Sequence, residues 1–365
     1  MTHGRHSSGS GTPERALIMK VHRRHDRRRG LGLIVISLSI LNFLWVVNFY
    51  ISSFSSSQED LFELSPQLTH SLSFLNDSED FGRLVDRLNF NFLLNTKPCD
   101  TSSDIFMLVF IHSAPEHYHN RQTIRQTWGL ETNLVNDSFR VVFLVGEVQN
   151  QSVQLTLEEE NKVNQDIIQG NFIDSYRNLS YKYVMGLKWV TYFCRQARYV
   201  LKADDDIYID IFQLVRHIKV SFEVSHGEGL VVCFLIKKPY VKRSQRSKWR
   251  VSFAEYPGTY YPSYCSGWAV LMSPLMVYNL YLQSSRVPYF WVDDVYVTGT
   301  LVKILGVKHV DITTSMSVNK EYVISWLQNN DTSLPPPFGY PDLSPENIHA
   351  LWTKTLLYYN KSGTS

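Results

Sequence analysis

Residues 31–51 have the sequence LGLIVISLSILNFLWVVNFYI, which contains no charged side chain. A helix of 21 residues, rising ~1.5 Å per residue, covers roughly 30 Å, which is the hydrocarbon thickness of a bilayer. A cleaved signal peptide is the alternative, although its apolar region usually has only about 7–15 residues. The stretch therefore predicts a single membrane-spanning helix, with the folded part of the chain on one side of it.

The charges around this stretch predict its orientation. Arg27, Arg28 and Arg29 precede it, whereas a serine-rich segment with Glu59 and Asp60 follows. Because positive flanks stay in the cytosol, we expect residues 1–30 to be a basic cytosolic tail, 31–51 to be a signal anchor and the rest to be lumenal. The tail carries a net charge of +6 within a total of +2, so the remaining residues are net acidic. An acidic body is not typical of a nucleic-acid-binding protein.

Glycosylation signals and cysteines agree with a lumenal body. Six Asn-X-Ser/Thr sequons all follow the apolar stretch: Asn76, Asn136, Asn150, Asn178, Asn330 and Asn360. All four cysteines also follow it, and an even number suits disulfides in an oxidising compartment, with three pairings possible. Both features predict a glycoprotein of the secretory pathway.

The lumenal part divides by composition into a stem over 52–98, a globular domain over 99–360 and a short tail over 361–365. Apolar runs predict strands over 105–112, 140–145, 198–203, 230–236 and 268–272. Helical periodicity predicts helices over 116–128, 152–169, 174–195, 207–217 and 294–305. This alternation predicts an α/β fold, a mainly parallel central sheet flanked by helices, whose ligands gather at the carboxyl ends of the strands.

An acidic triplet, Asp204, Asp205 and Asp206, follows the predicted strand over 198–203. Adjacent carboxylates at a strand end form a hard-oxygen site suited to Mg²⁺ or Mn²⁺, and such a cation commonly holds a diphosphate. Lys202, two residues upstream, would add a positive charge nearby. The alternative is a solvated acidic turn.

Arg121 and Arg125 lie four residues apart, and hence on one face of the helix predicted over 116–128. Two guanidinium groups on one face suit the recognition of phosphate or carboxylate. The alternative is a pair of surface arginines.

A second acidic pair, Asp293 and Asp294, follows the aromatic run 289–291 and begins a predicted helix. Carboxylates at a helix start are stabilised by the helix dipole, which is one interpretation. The other is a general base that acts on a sugar hydroxyl.

Four sequence blocks, NRQTIRQTW, RYVLKADDDIYID, EYPGTYYPSYCSGWAVLMS and VDDVYVTG, occur in the order and at the spacing of one family. Together they resemble the β1,3-glycosyltransferases of glycosyltransferase family 31, which include β1,3-galactosyl- and β1,3-N-acetylglucosaminyltransferases and, more distantly, the Fringe enzymes. The resemblance implies a GT-A fold, a UDP-sugar donor, Mn²⁺ as cofactor and a type II Golgi membrane protein.

The resemblance also implies roles for single residues. Asp206 would be the principal metal ligand together with Asp204, while Asp204 and Asp205 would lie near the donor sugar and ribose. Asp294, the second member of its pair, would be the catalytic base. The remaining implied positions are Arg121 and Arg125 beside the nucleotide, Gly267 in a turn over 264–267 that lines the cleft, and disulfides Cys233–Cys265 and Cys99–Cys194.

The sequence departs from this family in one place. Relatives often carry a histidine metal ligand shortly before the last helix, but residues 335–342 contain none. Asp342 or water would then complete the metal shell, and His309 is a further candidate.

These observations predict an inverting hexosyltransferase that moves galactose or an N-acetylhexosamine from a UDP-sugar to the 3-hydroxyl of a glycan on lipid or protein. Galactose is preferred, but no residue identifies the sugar or the acceptor. The alternatives are an inactive family member that acts as a chaperone, and a lumenal carbohydrate-binding protein. The acidic triplet and the aspartate pair favour an enzyme.

Overall fold

The computed structural model describes residues 78–100, 104–131, 134, 137–222, 229–313, 319–329 and 333–362. They belong to one compact unit, Asp77–Ser365. The predicted cytosolic tail and membrane anchor lie outside the described residues. Within the described part, no helix is both long enough and apolar enough to cross a membrane.

In the described residues, eight strands form one sheet in the order β1-β4-β3-β2-β5-β7-β6-β8. The strands are β1 (Phe92–Asn95), β2 (Ile105–His112), β3 (Phe139–Glu147), β4 (Ile167–Ile173), β5 (Ala197–Asp204), β6 (Val231–Ile236), β7 (Tyr264–Met272) and β8 (Val310–Asp311). Every residue of β2 is buried, as its continuous apolar run predicts. The four strands β4, β3, β2 and β5 are parallel, whereas β1 and β7 pair antiparallel with their neighbours. The α/β class is confirmed, and the sheet is mixed rather than mainly parallel.

Helices cover both faces of the central strands, and buried apolar side chains lie on either side of β2 and β5. They are α1 (Ser78–Phe81), α2 (Tyr118–Gln126), α3 (Gln151–Asn164), α4 (Leu179–Phe193), α5 (Ile211–Ser221), α6 (Pro274–Ser284), a π-helix (Val295–Leu301) that continues into α7 (Val302–Ile304), α8 (Lys320–Gln328) and α9 (Pro345–Ser362). Several caps are local: the Asp210 carboxylate accepts hydrogen bonds from the backbone N–H groups of Phe212 and Gln213 and so begins α5.

Three predicted elements are wrong in part. The helix predicted over 152–169 ends at Asn164, because Gln165 adopts a left-handed conformation (φ 54°) and the chain then enters β4. The turn predicted over 264–267 is the first half of β7. The helix predicted from residue 207 begins only at Ile211, after the Asp210 cap.

The structure also differs from the expectation of a stem as far as residue 98. Leu84, Val85 and Phe90 are buried, and β1 pairs with β4. On α4, Lys188 donates hydrogen bonds to the carbonyl oxygens of Asp80 and Arg83 at 2.7 and 2.9 Å. Residues 78–98 are therefore part of the folded domain, because long-range contacts that no local pattern shows hold them on the sheet.

The disulfides are Cys99–Cys194 and Cys233–Cys265, so the pairing implied by the family resemblance is confirmed. Among the sequons, Asn150 and Asn360 are exposed. Asn178 is half-buried and its amide donates to the Ile173 carbonyl oxygen. The other three, Asn76, Asn136 and Asn330, lie outside the described residues.

Candidate active site

The acidic triplet lies at the carboxyl end of β5, beside the end of β2, because the register pairs His112 with Asp204. The three side chains separate at this point. Asp204 is partly open, with 37% of its side chain exposed. Asp205 is buried, accepts a hydrogen bond from the Ser113 hydroxyl at 2.6 Å and lies 2.9 Å from His117 Nδ1. The Asp205 carboxylate thus contacts Ser113 and His117, and its implied role near the donor sugar stays a prediction.

Asp206 lies next to the segment before the last helix. The Asp206 carbonyl oxygen accepts a hydrogen bond from the Leu343 N–H, and the preceding residue, Asp342, has a left-handed backbone (φ 64°). Burial, followed by the neighbouring acidic side chains including Asp342, raises the pKa of Asp206 to about 6. The structure therefore brings together Asp206 and the acid suggested as a substitute for the missing histidine.

Asp294 contacts β7 through a glycine. The Gly267 N–H donates to Asp294 Oδ2 at 3.1 Å, and a Cβ on residue 267 would lie 1.9 Å from Asp294 Oδ1. The side chain of Asp294 makes no capping hydrogen bond to its own helix, and it accepts instead from the Gly267 N–H of β7. Burial and the adjacent Asp293 carboxylate raise the pKa of Asp294 well above its usual range.

Lys202 lies between the two acidic clusters. Its side chain is only 2% exposed, and Nζ donates to Asp204 Oδ1 at 2.6 Å and to the Gly267 carbonyl oxygen at 2.5 Å. Burial alone would lower the pKa of Lys202, but the carboxylates of Asp204, Asp294 and Asp293 outweigh it and raise the pKa. One buried ammonium therefore serves both acidic clusters, and the clusters lie at one site.

Arg121 and Arg125 are not free to bind a nucleotide. Arg121 is 1% exposed and makes a bidentate contact with Glu160 of α3, with Nε–Oε1 at 2.9 Å and Nη2–Oε2 at 2.6 Å. Arg125 makes a similar pair with Asp166, at 2.7 and 2.8 Å. The structure thus contradicts the phosphate-binding hypothesis for these arginines, because each guanidinium joins α2 to the α3–β4 segment.

Two buried polar side chains lie near the aspartate pair, and neither was predicted from the sequence to belong to this site. His112 Nδ1 lies 3.8 Å from Asp293 Oδ2, and the His112 and Tyr183 rings meet edge-on with centroids 5.3 Å apart. Burial, with Lys202 and Lys182 nearby, holds the pKa of His112 well below its usual value, so the ring is neutral. The position of His112 at the end of a buried strand was the available signal.

Aromatic side chains border the exposed side of the site. Tyr176 is 42% exposed, and burial together with the Asp293 and Asp294 carboxylates raises its pKa. Trp249 hydrogen-bonds to the Tyr176 hydroxyl, and the Tyr176 and Trp291 rings lie 6.1 Å apart. We call Tyr176, Trp249 and Trp291 the aromatic rim, in which Tyr176 and Trp249 are exposed and Trp291 is buried. The sequence showed only the run over 289–291, because Tyr176, in a short 3-10 helix (Tyr176–Asn178), and Trp249 are distant from that run in the chain.

His309 has a structural partner. Its Nε2 lies 2.6 Å from the carbonyl oxygen of Thr298, within the π-helix that follows Asp294. The Thr298 hydroxyl in turn donates to the Asp294 carbonyl oxygen at 2.6 Å. His309 therefore supports the helix that carries the aspartate pair, which agrees with an ordinary core role.

The donor set fits a hard divalent cation. Among the described residues, no three His, Cys, Asp or Glu side chains are placed to hold a metal ion together. Mg²⁺-like ions instead take one or two carboxylates, with water and substrate phosphates completing the shell. Asp206, whose pKa is raised by burial and by like charges, and the exposed carboxylate of Asp204 provide such a pair.

An α/β domain with two acidic clusters around one site, bordered by aromatic side chains, is the arrangement expected of a glycosyltransferase. The chain belongs to the galactosyltransferase family, whose model matches residues 119–313. The resemblance to β1,3-glycosyltransferases is thereby confirmed.

Two relatives with similar sequences agree with this family. UDP-GalNAc:beta-1,3-N-acetylgalactosaminyltransferase 1 of Homo sapiens is 32% identical over 236 residues, which are 64% of this chain and 70% of that protein. Beta-1,3-galactosyltransferase 1 of Mus musculus is 29% identical over 271 residues, 74% of this chain and 80% of that protein. Among solved structures, galactosyltransferase LgtC is 10% identical with a TM-score of 0.34, covering 68% of this chain and 95% of that one.

Proposed function

We propose that this chain is an inverting β1,3-hexosyltransferase of the GT-A type, anchored in the Golgi membrane with its catalytic domain in the lumen. It transfers galactose or an N-acetylhexosamine from a UDP-sugar to the 3-hydroxyl of a glycan acceptor on lipid or protein. The placement of both acidic clusters around Lys202 is the observation that supports this most directly.

In the proposed reaction, Asp294 accepts the proton of the acceptor 3-hydroxyl while that oxygen attacks the anomeric carbon. The bond between the anomeric carbon and the diphosphate oxygen breaks, its electron pair leaves with UDP, and the configuration inverts. Burial and the adjacent Asp293 carboxylate raise the pKa of Asp294, which makes its carboxylate a stronger base than that of a free aspartate.

Mn²⁺ at the donor diphosphate would be held by Asp206 and Asp204, and also by Asp342, which lies close to Asp206. Bound there, the cation would neutralise charge on the leaving group. The aromatic rim lies beside Asp294 on the exposed side, where an apolar sugar face would stack on Trp249 and orient the hydroxyl.

UDP release tests this proposal. Full-length protein purified in detergent would be given UDP-galactose, UDP-N-acetylgalactosamine or UDP-N-acetylglucosamine, each with a panel of β-linked disaccharide acceptors and Mn²⁺. We expect acceptor-dependent UDP release with one of these donors, and a β1,3 linkage in the product. Glycan binding without turnover for any donor would contradict the proposal and favour a carbohydrate-binding protein.

A further inference from the structure

Lys202 is a buried charged group at the site. An ammonium 2% exposed to solvent is unfavourable unless charged and polar partners surround it. Its two hydrogen bonds go to a carboxylate at the end of β5 and to a backbone carbonyl of β7. Lys202 is therefore a bridge between two neighbouring strands at the edge of the site.

The β7 residue that receives this bridge also holds Asp294. Gly267 accepts from Lys202 through its carbonyl oxygen and donates its own N–H to Asp294 Oδ2. Only a glycine fits, because a Cβ would overlap Asp294 Oδ1. The position of the Gly267 backbone thus determines where the Asp294 carboxylate lies.

We propose that Lys202 is a positioning residue for the transfer reaction: by holding the Gly267 carbonyl it sets the orientation of the Asp294 carboxylate toward the acceptor hydroxyl. This rests on the proposed function, in which Asp294 is the base. The second hydrogen bond of Lys202, to Asp204, holds the carboxyl end of β5, where the sugar donor would bind, in place relative to that base. One side chain thereby fixes the relative placement of the donor-binding and proton-accepting sides.

Two other roles of Lys202 make different predictions. A lysine that binds the donor diphosphate would offer Nζ to solvent and its loss would raise the KM for the donor, but Nζ is buried against Asp204 and Gly267. A lysine needed only for folding would change stability and leave the turnover of the folded enzyme unchanged. A positioning lysine would lower kcat with little change in either KM.

The test uses full-length enzyme in detergent and the substitution Lys202→Met, which keeps length and removes charge. We expect kcat to fall by about 100-fold, as for a misplaced reacting group, while both KM values stay within about threefold. The matched control is Lys188→Met: Lys188 is also fully buried, but its partners are Asp80, Arg83 and Tyr281. This control should lower the melting temperature and keep the kcat of the folded protein.

The double variant with Asp294→Asn shows whether Lys202 acts through Asp294. If Lys202 acts through Asp294, adding Lys202→Met to Asp294→Asn should lower kcat by less than about threefold further, since the two losses are not additive. A further 100-fold loss would overturn the proposal and place Lys202 on the donor side.

Gly267→Ala keeps the inference testable if Lys202→Met does not fold. It leaves Lys202 in place and displaces Asp294 alone, so we expect a similar loss of kcat. Wild-type kcat in Lys202→Met or in Gly267→Ala would overturn the positioning role. Wild-type kcat in Asp294→Asn would instead overturn the proposed base itself, so the two failures are distinguishable.

Discussion

Arg121 and Glu160 form a buried bidentate ion pair across 39 positions of sequence, with both side chains 1% exposed. Arg125 also reaches Glu160, with Nη1 2.7 Å from Oε1. The pair holds α2 against α3. Arg121 also donates to the Ser113 hydroxyl and the Ala114 carbonyl oxygen, in the segment that directly follows β2. A helix with the appearance of a phosphate-binding face is therefore an internal clamp.

Loss of this clamp should affect stability rather than donor binding. We expect Arg121→Met to lower the free energy of unfolding by about 3–5 kcal/mol, because it leaves a buried carboxylate short of a partner. Urea denaturation would measure this, and the donor KM of the folded variant should change less than about threefold. Normal stability with a strongly raised donor KM would restore the nucleotide-binding hypothesis.

Asp294→Asn should abolish most turnover without loss of nucleotide affinity. General-base assistance contributes typically 10²–10⁴-fold, so kcat should fall by about that factor. UDP binding in the presence of Mn²⁺, measured by calorimetry, should be unchanged. The control is Asp104→Asn, a surface acid paired with Arg198, which should retain wild-type kcat.

The apo protein should lose stability as pH rises through the titration of Asp206. Its pKa is raised to about 6 by burial and by neighbouring acids, so between about pH 4 and 6 the folded state binds a proton that the unfolded state has released. Protonated Asp206 contributes at most about 3 kcal/mol to the free energy of unfolding. This contribution is fully present below pH 4 and is lost above pH 6. In thermal melts without metal, Asp206→Asn should be more stable than wild type at pH 7.5 and equal to it near pH 4.

Added Mn²⁺ should reverse this difference. At pH 7.5 it should raise the melting temperature of wild type and not of Asp206→Asn, because the cation replaces the proton at the carboxylate. An equal response of both proteins would exclude Asp206 as a ligand.

Trp249→Ala should weaken acceptor binding selectively. Loss of one stacking surface worth about 1–1.5 kcal/mol corresponds to a roughly tenfold rise in acceptor KM. The control is Phe253→Ala on the same loop, because Phe253 is 70% exposed and its ring contacts Arg243 instead of the site. Equal effects of the two substitutions on the acceptor KM would remove Trp249 from the acceptor side.

A fragment that begins at residue 77 should fold, whereas one that begins at 99 should not. The shorter fragment lacks β1 and the buried side chains of Leu84, Val85 and Phe90, each worth about 1.5–3 kcal/mol. Their sum is comparable to the total stability of a typical domain. Near-ultraviolet circular dichroism and protease resistance would compare the two fragments, and similar melting temperatures would contradict this prediction.

Local composition was sufficient for the core strands and for placing the acidic triplet at the end of one of them. The run IFMLVFIH predicts a buried strand over 105–112, and β2 has these bounds, because burial on both faces requires apolar residues in continuous order. Asp204 and Asp206 were found in the same way, since carboxylates directly after such a strand lie at the edge of the sheet.

The tertiary structure decided which polar groups face one another. The hydrogen-bond partners of three site side chains lie 39 to 92 positions away in the sequence. Arg121 pairs with Glu160, Asp205 with Ser113, and Lys202 with Gly267. The boundary at residue 77 and the strand β4, whose first three residues fall in the helix predicted over 152–169, depend likewise on β-pairing partners. A sequence pattern records which side chains a segment has, whereas hydrogen bonds and ion pairs form between whichever groups the packed sheet brings within about 3 Å of each other.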